Sequence, residues 1–89
     1  MDLQESREII RQVDEEMAKL FVRRMEAVRE VAAYKKERQL PIEDKAQEAR
    51  VIEGRGVLVE DPELQPFYIS FLQDVMEVSK RWQQYLMEK

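Results

Sequence analysis

The sequence predicts an all-α chain of three helices: long, short, long. Three observations carry this. The stretch from Glu5 to about Arg38 contains neither Pro nor Gly and repeats its apolar residues at helical spacing. The whole chain has only two Gly and three Pro in 89 residues, so turns are few and elements are long. A second apolar stripe of helical period, Tyr68, Leu72, Val75, Met76, Trp82 and Leu86, runs through the last third.

The first helix carries Ile10, Val13, Met17, Leu20, Val28 and Val31 within about 40° of one line on a wheel of 100° per residue. Asp2 and Ser6 are both candidates to cap its start. The other face bears acid–base pairs at helical spacing, such as Glu15 with Lys19 and Glu26 with Arg23 or Arg29. Arg11, Lys19, Arg29, Lys36 and Arg38 therefore read as a solvated face. Gln39-Leu40-Pro41 breaks the helix, because Pro41 has no N–H and restricts Leu40. Asp44, with Gln47 three residues on, has capping-box spacing and starts a short helix from about Lys45 to Glu53. Gly54 and Gly56 are expected to end it as left-handed caps. Val57-Leu58-Val59 has no second strand to pair with, so it reads as a connector. Asp61-Pro62 starts a separate turn. The third helix follows from about Pro66 to Met87.

Composition narrows the chemistry. A chain this short is one domain with a modest core, for which oligomerisation is a natural remedy. The charged fraction of 38% suits long solvated helix faces. With no Cys there is no disulfide, thiolate nucleophile or zinc–thiolate site, and with no His the commonest metal ligand and neutral-pH base are missing. A net charge of −4 argues against nucleic acid, whose phosphates require a basic face. The opening MDLQESREII is polar and no apolar run approaches bilayer length, so a soluble cytoplasmic protein without a membrane partner is expected.

Several residues break the apolar pattern. Arg24 lies at the centre of the first helix's apolar line, and Lys35 lies about 20° from it. Ser79 and Gln83 interrupt the stripe of the third helix, one turn apart. Buried charges and polar groups require partners. Arg7 and Glu48 join this set. Cations with neutral hydrogen-bonding groups suit a small anion bearing more than one carboxylate, since Arg grips a carboxylate with paired hydrogen bonds. Arg7 and Arg24 are separated by about 25 Å of helix, too far for one small ligand, so Arg7 serves a site on a partner chain if it serves one at all. The plainer alternative is a helical bundle that uses buried charges to fix register and partner number.

Taken together, these residues resemble the all-α, AroQ-class chorismate mutases, most closely the short bacterial form that begins bifunctional enzymes of phenylalanine and tyrosine synthesis. The likeness runs through SREIIRQVDEEMAKLFVRRMEAVREVAAYKK, LPIEDKAQEARVIE and FLQDVMEVSKRWQQ. It consists of Arg7, Asp14, Arg24 and Lys35, then Pro41, Ile42, Asp44 and Glu48, then Ser79 and Gln83. The resemblance implies an intertwined homodimer, each first helix crossing into its partner. It implies the Claisen rearrangement of chorismate to prephenate, without covalent intermediate, metal or cofactor. Arg24, with Arg7 of the other chain, would bind the two carboxylates, and Ser79 would assist. Lys35 and Gln83 would donate hydrogen bonds to the ether oxygen as its bond breaks. Glu48 and the Asp44 backbone would hold the ring hydroxyl.

Gln47 departs from the pattern, since the family commonly has Arg at this position. Arg50, three residues later, is expected to lie near the same face and compensate. Two other readings fit the same residues. One is isochorismate pyruvate lyase, of the same fold and with a similar cationic site. The other is a catalytically weak regulatory or scaffolding helical dimer.

Overall fold

A computed structural model describes residues 2–89, and its elements follow the expected order. Helix α1 spans Leu3–Glu37, α2 spans Lys45–Arg55 and α3 spans Gln65–Glu88, with a 3₁₀ turn at Gly56–Leu58 between α2 and α3. Among the described residues there is no strand. The molecule is a slender plate of 52 × 28 × 14 Å. A helix of 35 residues is about 52 Å long, so α1 alone sets the long dimension.

Each boundary has a local cause. Asp2, not Ser6, caps α1: its carboxylate accepts the Glu5 N–H at 2.8 Å, and Glu5 reaches back to the Asp2 N–H. This reciprocal pair starts the helix two residues earlier than expected. At the other end Gln39 takes a left-handed conformation, φ 57°. The Leu40 N–H bonds the Lys35 carbonyl at 2.8 Å and the Gln39 N–H bonds that of Lys36 at 3.3 Å, the Schellman pattern with Gln where Gly is usual. Asp44 caps α2 through the Gln47 N–H at 3.0 Å. Asp61 closes the turn before α3 by accepting the Glu63 N–H with its side chain and the Gln65 N–H with its carbonyl.

The glycines do not act as expected. Gly54 lies inside α2, and Gly56 is right-handed at φ −58°, so α2 runs on to Arg55 and tightens into the 3₁₀ turn instead of reversing. The need at Gly56 is space. A Cβ there would lie 2.9 Å from Cγ1 of Ile69 on α3. On α1, Glu15 pairs with Arg11 rather than Lys19.

The core lies where α1 and α3 cross. Ala32 and Leu72 are its buried apolar residues, with Met25, Val28, Val75, Met76 and Leu86 half-buried around them. Trp82 donates its indole N–H to the Met25 carbonyl at 3.0 Å, and Arg29 lies over its ring at 5.0 Å. Helix α3, about 36 Å long, covers only the C-terminal part of α1. The first half of the α1 stripe is uncovered within the chain: Ile10 is 58% exposed and Leu20 60%, with Val13 and Met17 also open.

Two substitutions test this account. Gly56→Ala is expected to destabilise by about 1–3 kcal/mol, because its methyl group forces Ile69 aside. Gln39→Gly is expected to stabilise by about 1 kcal/mol, because it relieves a left-handed non-glycine residue. Urea unfolding midpoints measured side by side decide both, and equal midpoints for the three proteins contradict both.

Candidate functional site

The three helices enclose a cavity of about 190 Å³ where α2 leans against the α1–α3 crossing. Helix phase explains what faces it. Arg24, Val28, Val31 and Lys35 come from the apolar line of α1, and Met76, Ser79 and Gln83 from that of α3. Asp44, Gln47, Glu48, Val51 and Arg55 enter from α2 and its cap. Of the residues singled out by sequence, Arg24, Lys35, Asp44, Gln47, Glu48, Ser79 and Gln83 therefore share one cavity. Arg7 is exposed near the start of α1 and does not line it.

Arg24 reaches across to α3, where its Nη1 donates to the Ser79 hydroxyl. The Ser79 hydroxyl in turn donates a hydrogen bond to the Val75 carbonyl at 2.9 Å. Burial, and after it the charge of Arg55, pushes the Arg24 guanidinium below its ordinary pKa. A cation met only by a hydroxyl and opposed by a second cation favours an anion beside it. Lys35 donates to the Ile42 carbonyl at 2.8 Å, which ties the segment before α2 to α1 and leaves two ammonium protons for other acceptors.

The opposite wall is acidic. Lys80 Nζ lies 2.9 Å from Glu48 Oε1, while Glu48 Oε2 is buried without a hydrogen-bond partner. Gln83 is only 6% exposed, and its Oε1 is likewise buried and unpartnered. Buried polar atoms of this kind are uncommon in folded proteins, and two in one small cavity mark a place built to meet another molecule's polar groups.

Arg50 does not play the compensating role expected of it. It does not line the cavity and donates through Nε and Nη2 to Gln47 Oε1, at 3.2 and 3.1 Å. This leaves the Gln47 amide as a neutral donor. Two lining cations escaped the sequence reading. Arg55 lies past the expected end of α2, yet seven residues separate it from Glu48 and put both on one helix line. Lys80, next to Ser79, carried no signal apart from its charge.

Compared with known protein families, residues 6–84 match the model described as chorismate mutase type II. Neither a curated protein nor a solved structure matches the chain.

The cavity's charge has a measurable consequence. Malonate, a small dicarboxylate, is expected to stabilise the protein by about 2.7 kcal/mol when present at one hundred times its Kd. The gain is expected to vanish in Arg24→Ala. Thermal melts of both proteins over a malonate series, with sodium chloride at matched ionic strength as control, give the answer.

Proposed function

The chain belongs to the type II chorismate mutases, and from that premise we propose that it catalyses the rearrangement of chorismate to prephenate as a cytoplasmic enzyme of the short bacterial form. The observation that carries the proposal is the charge of the cavity lining. Arg24, Lys35 and Arg55 line the cavity without an ion pair among the described residues, while Lys80 is paired with Glu48, within a chain whose net charge is −4. An acidic protein with a cationic cavity concentrates its positive charge where a dianionic substrate would lie.

In this reading Arg24 binds a carboxylate, assisted by Ser79, whose hydroxyl holds the guanidinium in place. Lys35 and the Gln83 amide donate hydrogen bonds to the ether oxygen. As the C–O bond breaks and the new C–C bond forms within the same molecule, negative charge grows on that oxygen. Donors already fixed on two helices stabilise it without reorganising. The Glu48 carboxylate accepts a hydrogen bond from the ring hydroxyl, beside the Asp44 backbone. The walls formed by Val28, Val31, Val51 and Met76 favour the compact conformer in which the bonding carbons meet, which supplies the orientational part of the rate gain. No step requires a proton donor or acceptor working near neutral pH, in keeping with a chain that has no His and no Cys.

Arg7 enters only through a second chain. The apolar residues left open along the first half of α1, Ile10, Val13, Met17 and Leu20, support a homodimer whose long helices intertwine. Each Arg7 would then complete the partner's site and bind the second carboxylate.

The primary test is loss of chorismate absorbance with prephenate identified as product. The parent is expected to turn over, and folded Arg24→Ala to lose at least about a hundred-fold in kcat/KM, since it removes a buried charged contact to substrate. Turnover of isochorismate and not chorismate by the parent rejects the proposal in favour of a lyase. The dimer has its own test: Arg7→Ala and Arg24→Ala, each inactive alone, are expected to regain activity when mixed, because one site of the mixed dimer keeps both arginines. Mixtures that stay inactive after verified subunit exchange place Arg7 outside the site. Gln47→Arg is expected to lower KM by adding a charge where a neutral amide now stands, and an unchanged or higher KM contradicts that.

A further inference from the structure

Lys80 lines the cavity, but it is built unlike the other cations there. Its ammonium is surrounded by three carboxylates: Glu77 at 2.7 Å, Glu48 at 2.9 Å and Glu43 at 3.5 Å. They come from three places: α3 itself, α2, and the segment just before α2. An ammonium has three protons, and here three carboxylates lie within ion-pair distance of it, Glu48 as a well-formed hydrogen-bond acceptor. Its hydrogen bonds to Glu77 and then to Glu48 hold its pKa well above the ordinary lysine value. Arg24, by contrast, meets only a hydroxyl, and Lys35 only one carbonyl. Ringed by carboxylates, Lys80 is poorly placed to bind an anionic substrate directly, and its part passes through its neighbours.

The neighbour that matters is Glu48. Lys80 takes one oxygen of that carboxylate, and the other, Oε2, is buried with no partner. Both side chains line the cavity. A substrate carboxylate would be repelled from Oε2, whereas a hydroxyl, the only hydrogen-bond donor on a dianionic hydroxy acid, would be drawn to it. We propose that Lys80 is a positioning residue: by clamping Oε1 of Glu48 it presents Oε2 as the acceptor for the substrate's hydroxyl, and so sets which end of the substrate lies against α2 and which against Arg24. The proposal rests on the mutase reading. It adds to that reading the residue that orients Glu48. Glu43 extends the same clamp to the segment before α2, whose Ile42 carbonyl is held by Lys35 from the other side.

The test is a double-mutant cycle on the full chain, with kcat and KM for chorismate measured for the parent, Lys80→Met, Glu48→Gln and the double variant, and with Lys80→Arg as the conservative control. Lys80→Met is expected to lose about ten-fold in kcat/KM, the ordinary cost of removing a group that orients a site residue. In the Glu48→Gln background the same change is expected to cost less than about two-fold, since residues acting as a unit are not additive. Lys80→Arg is expected to restore most of the loss, because its charge and donors survive. Thermal melts establish that each variant is folded, and Lys80→Gln replaces Lys80→Met if the latter is not. Equal losses in the two backgrounds, or a Lys80→Arg variant as impaired as Lys80→Met, overturn the proposal while leaving the mutase reading intact. A parent without chorismate turnover overturns both together.

Discussion

A guanidinium on the line where two helices meet is the constraint around which this fold is arranged. Arg24 sits where packing alone calls for Leu or Met, and α3 answers it with the Ser79 hydroxyl instead of a carboxylate. An acid at that point would have neutralised the charge inside the chain. Ser79 leaves it available, and Arg55 adds to the local excess. Lys80 follows the opposite rule, with three acids around one ammonium. The cavity therefore holds two kinds of cation, one satisfied within the chain and one left open to a ligand. Sites commonly violate packing rules in this way, and the stability given up there is recovered elsewhere in the structure.

The recovery comes from helix geometry. Long α1 and α3 need few turns; Ala32 and Leu72 are buried where they pack, and Gly56 lets the 3₁₀ turn come close to Ile69 of α3. The α2 helix contributes little apolar surface of its own. It is held by its Asp44 cap, by the close approach at Gly56 and by the ion pairs of Lys80. Its main contribution is one wall of polar side chains.

Much of this was legible because helical phase is legible. A wheel of 100° per residue was enough to group Arg24 with Lys35 and Ser79 with Gln83, and those four residues do face one cavity. Phase says nothing about where a helix yields to a tighter turn, so neither the run of α2 to Arg55 nor the right-handed Gly56 is visible in it. Gln39 escaped for a related reason: a left-handed Gln is set by the hydrogen bonds of Lys35 and Lys36, which no local preference announces. Arg50 sat at the right spacing from Gln47 but spends its donors on that side chain. Lys80 looked like any surface charge, because its three acids are distant in sequence or unremarkable at i−3.

Trp82 is the chain's only tryptophan. Its indole N–H is bound to the carbonyl of Met25, the residue beside Arg24, and its ring lies beneath Arg29. The fluorophore thus spans the same helix crossing that holds the cavity, yet it does not line the cavity and would not touch a ligand there. Its emission is a built-in optical gauge of that seam: a shift on ligand addition reports movement between the two long helices and not quenching by direct contact.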